Sequence, residues 1–420
     1  MDNTMVSFYN IILCLSNALD LIAPEVGNHH KQVAYLAFHL AESIKLPAEQ
    51  QKEIFFSALL HDIGALSRKE RLELIENEPF NVNNHAFKGA KLLNEFKALL
   101  NISKIVKFHH LPWGNGEGTA YMGEKVPMAS HLIHLADRTC AKIKPSRNVI
   151  SQVSNILSLI NKDKGTIFEP DLVDSLFELG KKDYIWMDLV SDSPIDKIQN
   201  IGMFNTVVLD IDDIVDITSI FSKIIDFRSR FTVCHSAGVA VVAEKLAEHM
   251  NFSSLECKMM LIAGYLHDLG KIAIDDSILE KRGKLSKDEF NEIRMHTYYT
   301  YQLLDRIPEF NTIKIWASYH HEKLNGMGYP FSINAGDITL GSRIMAVADI
   351  FTAITEDRPY RKGMDDEQAV QVLDKMVADG SIDGKVVKVL TANIKSINEL
   401  RLSAQQAAYI KYKNFLDTPW

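Results

Sequence analysis

The feature that most constrains this chain is a set of histidines and aspartates that occurs twice. The first set is His29, His61, Asp62, His85, His109, His110 and Asp137; the second is His235, His267, Asp268, His296, His320, His321 and Asp349. His29 and His235 each stand 32 residues before a His-Asp pair, and His85 and His296 each stand 24 residues before a double histidine. The closing aspartates follow 27 and 28 residues after those doublets. Ten of the chain's 15 histidines fall at these matched positions, which sets them apart from isolated core or surface histidines. Each set opens on a segment of helical period: Val33, Leu36, Ala37, Leu40 and Ile44 share one face, as do Val239, Val242, Ala243, Leu246 and Met250. Alternating strand patterns are almost absent. The expectation is therefore an all-α chain of two tandem domains related by duplication, a repeat far too long for a solenoid unit. We place them at 1–185 and 222–400, with a connecting segment at 186–221 that contains the acidic run LDIDDIVDI, and a tail at 401–420. Even the domain ends echo, GTIFEPDLVDSL from Gly165 against GSIDGKVVKVL from Gly380. The other five histidines, His30, His39, His131, His134 and His249, read as solvated or half-buried side chains.

Composition narrows the class. With 420 residues, 46% hydrophobic and 24% charged, the chain reads as a soluble globular protein of two or three domains. Lys and Arg number 46 against 54 Asp and Glu, a formal charge of -8, and no stretch concentrates enough base to track a nucleic-acid backbone. The apolar start from Val6 to Ile22 is broken by Asn10, Ser16, Asn17 and Asp20 and has no basic leader, so it reads as an amphipathic helix, not a signal peptide or membrane span. A cytoplasmic protein is expected. Cys14, Cys140, Cys234 and Cys257 form no CxxC pair and read as buried apolar residues, without disulfides or a zinc knuckle.

Five imidazoles and two carboxylates per domain, with no thiolate, make a ligand field for first-row divalent metals such as iron, manganese, cobalt or zinc. Seven ligands exceed the needs of one ion with an open position, whereas two ions sharing a bridging carboxylate use them all. Asp62 and Asp268, each beside a ligand histidine, are the natural bridges, because a carboxylate can span two cations and an imidazole cannot. Two ions about 3.5–4 Å apart suit phosphoester hydrolysis, since they stabilise both attacking and leaving oxygens. A purely structural metal site is the alternative.

The second half resembles the HD-GYP family of cyclic-dinucleotide phosphodiesterases, within the HD metallohydrolase superfamily. The resemblance runs through HSAGVA, LHDLGKIAI, ILEKRGKLSKDEF, HTYYTYQLL, HHEKLNGMGYP and VADIFTAITEDRPYRKG, in the family's order and over about 170 residues. It implies an all-helical fold, a centre of two or three metals, and hydrolysis of cyclic di-GMP or, in some members, cyclic GMP-AMP. It also implies that His235, His267, Asp268, His296, His320, His321 and Asp349 bind metal, with Asp268 and Lys271 at the chemistry. Lys271, one helical turn past the His-Asp pair, can offset charge on the scissile phosphate, or it is a surface lysine. The family holds substrate phosphates with basic residues where Arg358 and Arg361 stand, and guanidinium forks suit that task. Gly326 and Gly328 permit a tightly shaped loop ending at Pro330. Tyr329 lines the nucleotide pocket or packs, and Asn325, where the family often has Asp, touches a base or caps the loop. Three-metal members add acids where this chain has Phe231 and Thr352, so two ions, iron or manganese, are expected.

The first domain keeps every matched ligand, and has Glu25 four residues before His29, but carries Ala65 in place of the lysine and WGNGEGTAYMG in place of a GYP loop. It reads as a regulatory metal or nucleotide sensor, ahead of a second hydrolase or a structural relic. For the whole chain the leading reading is a metal-dependent phosphodiesterase that opens a cyclic dinucleotide in second-messenger signalling. The alternatives are an HD-type nucleotide phosphohydrolase and a non-catalytic module that meets signalling proteins through the GYP loop. A homodimer is a further expectation.

Overall fold

The computed structural model describes residues 5–76, 83–199, 201–228, 233–357 and 362–416. Arg358, Arg361 and Phe231 lie outside the described residues. The chain divides into two compact units, one spanning Ser7–Val207 and the other formed chiefly by the residues from Val208 onward. Both are helical, and among the described residues every strand is two residues long.

In the first unit the Phe8–Asp20 helix is almost wholly buried. It is followed by α1 (His29–Ser43), α2 (Ala48–Leu60), α3 (Asn83–Leu93), α4 (Leu100–Lys107) and α5 (Met128–Ala141). The apolar stripe Val33, Leu36, Ala37 and Leu40 is buried, so the helical period read from the sequence is the packing face of α1. Pro47 stands immediately before α2, where its missing N–H costs nothing. A small hairpin that starts at the end of the segment replacing a GYP loop pairs Ala120 with Lys125 and Tyr121 with Glu124. Helices Val153–Lys162, Pro170–Gly180 and Asp183–Leu189 complete the unit.

The second unit repeats the plan with α6 (His235–His249), α7 (Ser254–Leu266), α8 (Lys287–Leu304), α9 (Asn311–Ser318) and α10 (Leu340–Thr355). Its helix starts are better capped. Ser253 accepts from the Glu256 amide at 3.3 Å while Glu256 accepts from the Ser253 amide at 2.8 Å, and Ser286 with Glu289 forms the same box at the start of α8. Each such cap is worth about 1 kcal/mol. The acidic run that ends the expected connecting segment enters a helix, Ile211–Asp226, started by an Asp210 cap. Its buried Ile214, Ile217, Ile220 and Phe221 pack against the second unit's α7, giving this stretch a core role there.

Three of the five histidines read as solvated or half-buried are in fact buried: His30, His131 and His134. His30 sits in the first turn of α1 against Asp20, and His131 and His134 are one turn apart on the inward face of α5. His39 is half-buried and His249 exposed, as expected. Of the cysteines, Cys14, Cys140 and Cys257 are buried, but Cys234 is only partly so because it opens α6 at the unit's surface.

Candidate metal centres

Each unit places its seven residues by the same device. The first histidine opens a helix (His29 on α1, His235 on α6), and the His-Asp pair follows the C-terminus of the next (α2 or α7). The third histidine lies on α3 or α8, the doublet just beyond α4 or α9, and the closing aspartate on α5 or α10. Glycine makes the meeting possible. A Cβ on Gly64 would lie 2.1 Å from the His85 carbonyl oxygen, and one on Gly270 would lie 1.9 Å from that of His296. Only a residue without a side chain lets the third histidine's helix approach the His-Asp turn.

The result is two pairs of ligand groups, buried except for the half-buried His321. His29, His61 and Asp137 converge, as do Asp62, His85, His109 and His110, with ligand atoms in each group within 4.8 Å of one another. The second unit gathers His235, His267 and Asp268, and beside them His296, His320 and His321, by the same measure. Asp349 joins the former, its Oδ1 3.0 Å from His235 Nε2. Each aspartate expected to bridge faces a histidine of both groups. Asp268 Oδ2 lies 3.2 Å from His267 Nε2 and its Oδ1 lies 3.3 Å from His296 Nε2. Asp62 likewise faces His61 with one oxygen at 3.3 Å and His85 with the other at 3.0 Å.

The imidazoles are held ready to coordinate. Nδ1 of His61, His109, His267, His296 and His320 bonds to the backbone carbonyl three residues earlier, at 2.6–2.8 Å. This leaves Nε2 with its lone pair directed at the cluster. His61 Nε2, Asp62 Oδ1, His267 Nε2 and Asp268 Oδ1 are buried without a hydrogen-bond partner, which is costly for polar atoms unless a cation completes them. The donor set and these orphaned atoms fit divalent metal. The electrostatics agree for His109, His296 and His321. Burial holds His109 and His321 down at about 4 and His296 at about 3, the neutral form a ligand needs. Burial opposes ionisation of Asp268, yet His267 and Lys271 beside it hold its carboxyl well below the usual range. Burial also opposes protonation of His235, but Glu356 and Asp349 push it up to about 10.

Around these similar cores the surroundings differ. In the second unit the Lys271 ammonium sits on Asp268 Oδ2 and Glu356 Oε2 lies 3.1 Å from His235 Nδ1. In the first unit Ala65 is buried, and two buried guanidiniums take the cationic role. Arg138 grips Asp137 Oδ2 through Nε at 3.0 Å and Nη2 at 2.8 Å. Arg71 bonds to the carbonyls of Asp62 and Ala65 and lies 3.3 Å from His30 Nε2. Glu25 turns outward to Arg68 instead of joining the ligands.

In the GYP loop, Gly326 has a φ of 74°, and a Cβ on Gly328 would lie 2.3 Å from the Lys323 amide. Glu322, which sequence reading left without a role, gathers the amides of Phe331, Ser332 and Ile333 at 2.7–3.3 Å. Asn325 spends its carbonyl on the Met327 amide and its amino group on Asp379 O and Ser381 Oγ, the loop-capping alternative. Tyr329 packs its ring 4.9 Å from that of His321, with the Arg294 guanidinium 4.9 Å from the tyrosine ring. Thr352 is fully buried.

Three further residues escaped the sequence reading. Asp20 and Asp226 each stand nine residues before the first ligand histidine, a matched spacing that could have revealed them. Asp20 pairs with His30 at 2.6 Å, and Asp226 accepts from Ser236 Oγ at 2.9 Å. Burial pushes the Asp226 carboxyl up to about 7. Arg228, with no counterpart signal, bonds to the carbonyls of Lys271, Ile272 and Ile274 and to Asp276, fixing the turn that carries Lys271.

Residues 26–142 and 219–386 each match a family model described as an HD domain. The chain is 29% identical over 407 residues to the 3'3'-cGAMP-specific phosphodiesterase 1 of Vibrio cholerae, covering 95% of this chain and 94% of that one. A cyclic di-GMP phosphodiesterase of Pseudomonas aeruginosa is 35% identical over 142 residues, 34% of each chain. A solved structure of a cyclic GMP-AMP specific phosphodiesterase from V. cholerae shares the fold, with a TM-score of 0.64 at 23% identity over 93% of this chain and 98% of that one. Duplicated ligand sets, helical architecture and both model matches agree: the chain belongs to the HD-domain family, one HD domain in each half, with the HD-GYP pattern confined to the second.

Proposed function

We propose that the second unit is a metal-dependent phosphodiesterase that hydrolyses a 3',5'-cyclic dinucleotide, cyclic GMP-AMP or cyclic di-GMP, to a linear dinucleotide. One observation carries this reading: a buried aspartate, Asp268, faces a histidine group with each oxygen and has the Lys271 ammonium on one of them. A structural metal site needs the ligands but not the lysine. The near full-length likeness to a 3'3'-cGAMP phosphodiesterase selects the substrate class.

His235, His267, Asp268 and Asp349 would hold one divalent ion, and Asp268, His296, His320 and His321 a second, iron or manganese. Bound there, the ions supply an acidified water and Lewis-acid polarisation of the phosphoryl group. Hydrolysis adds water at phosphorus and breaks the bond to the 3' oxygen, leaving a 5'-phosphate and a 3'-hydroxyl. Lys271 supplies fixed positive charge where negative charge grows on the phosphoryl oxygens. Arg228 holds the Lys271 turn in place through three carbonyls. Tyr329 and Arg294 give the loop an aromatic and cationic wall beside His321 for a purine. By the family resemblance, Arg358 and Arg361 would bind substrate phosphate.

The first unit holds metal without this reaction, because Ala65 leaves its bridging aspartate without a lysine; we assign it a regulatory role. Among the described residues no single helix is long and apolar enough to cross a membrane, and a cytoplasmic enzyme is consistent with an intracellular second messenger as substrate. The test is product analysis of purified protein loaded with Fe(II) or Mn(II), given cyclic GMP-AMP, cyclic di-GMP and a panel of mononucleotides. Linear dinucleotide is expected; hydrolysis of mononucleotides alone would replace this reading with that of a nucleotide phosphohydrolase.

A further inference from the structure

The segment expected as a tail is, up to Leu416, the end of a long helix, α11 (Ile394–Leu416), which packs along α6. This helix begins after the matched HD-domain model ends at 386. Its inward residues nonetheless reach the second metal centre. Gln405 Nε2 donates to Glu356 Oε2 at 3.3 Å, and the same oxygen lies 3.1 Å from His235 Nδ1. Behind Gln405, the buried Arg401 donates through Nη1 to Gln405 Oε1 at 2.6 Å and through Nη2 to the Thr355 carbonyl at 3.4 Å. Its Nε bonds to Asn398 Oδ1 at 2.9 Å, and Asn398 in turn donates to Asp366 Oδ1 at 2.8 Å. Gly238, one turn along α6 from His235, makes room, since a Cβ there would lie 2.9 Å from Gln405 Nε2.

His235 needs such support more than its neighbours do. His267, His296 and His320 fix Nδ1 on the backbone carbonyl three residues earlier, an acceptor held by the fold itself. His235 is the first residue of α6 and has no preceding turn of that helix, so its Nδ1 meets a side chain instead. That side chain, Glu356, stands in extended conformation just past the end of α10. Its rotamer freedom must be removed before it can orient an imidazole. A carboxamide is suited to the place, because its amino group donates to the carboxylate while its carbonyl accepts from the guanidinium.

We propose that Gln405 and Arg401 are positioning residues of the second metal centre. They hold Glu356 Oε2 on the His235 Nδ1–H and thereby keep the His235 Nε2 lone pair on the ion. Neither touches metal or substrate; each acts through Glu356. The proposal rests on reading His235, His267, Asp268 and Asp349 as a metal site, and not on the reaction assigned to it.

The test uses the full-length chain carrying His61→Ala with Asp62→Ala, so that bound metal reports the second centre. Co(II) is loaded, its affinity is read by competition with a chelator, its visible bands report ligand geometry, and a metal-free melt reports the fold. Gln405→Met keeps the length of the side chain but removes both hydrogen bonds. It should weaken Co(II) about three- to tenfold, less than the about 10- to 100-fold for losing a group bonded directly to a ligand. The Co(II) bands should shift and the metal-free melt should hardly move. Repeated in a Glu356→Ala chain, Gln405→Met should weaken Co(II) no further, because nothing remains for Gln405 to hold. Arg401→Lys, which keeps the charge but loses the fork, should weaken Co(II) in the same direction. Unchanged affinity in Gln405→Met, or an equal loss with and without Glu356, would overturn the proposal. If Gln405→Met fails to fold, Gln405→Glu, which keeps the Arg401 bond and loses the donor, is judged by the same two comparisons. Turnover of cyclic GMP-AMP by the parent chain is measured separately. A parent that binds Co(II) but leaves cyclic GMP-AMP intact would overturn the proposed reaction alone, whereas a parent that binds no Co(II) would overturn the metal site and this inference with it.

Discussion

The two units build nearly the same ligand cage, each with an aspartate nine residues before its first histidine, but they differ in the other charges around it. Behind the second cage lie the carboxylates Asp226 and Glu356, and a lysine stands on its bridging aspartate. Against the first lie the guanidiniums of Arg71 and Arg138, the latter gripping the closing aspartate. The cage alone therefore says where a metal could sit, not what it would be used for. Acids behind a ligand strengthen its hold on a cation, and a lysine at the front meets a developing anion.

The contrast is tested most severely by removing the bridge. Asp268→Ala or His267→Ala should abolish cyclic-dinucleotide turnover, whereas His61→Ala with Asp62→Ala should lose metal from the first centre but keep ring-opening activity, as measured by metal analysis and product chromatography. A dead first-unit variant beside an active second-unit variant would reverse the assignment of units. Next in size is Lys271→Ala, expected to retain metal and lose about 10²–10³ in kcat, the usual cost of one missing electrostatic contact in the transition state. An unaltered kcat would make Lys271 a structural ion-pair partner of Asp268. Glu356→Gln removes the charge behind His235 and should weaken metal in the second centre about 10- to 100-fold, read by competition with a chelator. The first centre, which has no such carboxylate on His29 among the contacts described, should be unaffected in that variant.

The smallest effect concerns what the units share. Gly64→Ala and Gly270→Ala each drive a methyl group into the carbonyl of the third histidine, so each should destabilise its unit by about 1–3 kcal/mol. Thermal unfolding of both variants would show whether the two turns are equally tight. A melt unaltered in either would mean that its helix can move aside.

Much of this arrangement was legible in the chain. Charge-bearing residues with fixed spacing revealed the duplication, and the period of Val33 to Leu40 revealed the buried face of α1, because ligand geometry and helical repeat are both local in sequence. Asp62 and Asp268 could be named as bridges because only a carboxylate has two oxygens to share. The neighbours were harder. His30, His131 and His134 have no distinctive spacing, and only packing shows that they are inside.

What the sequence determined by itself was the helical class, the duplication and the set of candidate ligands, since each rests on residue type and spacing along one segment. What the tertiary structure decided was the setting: Glu356 returning to His235 across 121 residues, Arg71 crossing 41 to reach His30, and Asn325 spending its polar groups on a loop 54 residues away. These contacts join elements far apart in the chain, and their charges act through space in a buried, weakly screened medium. Sequence spacing carries no record of such distances, so the difference between two nearly identical cages emerges only when the helices are packed.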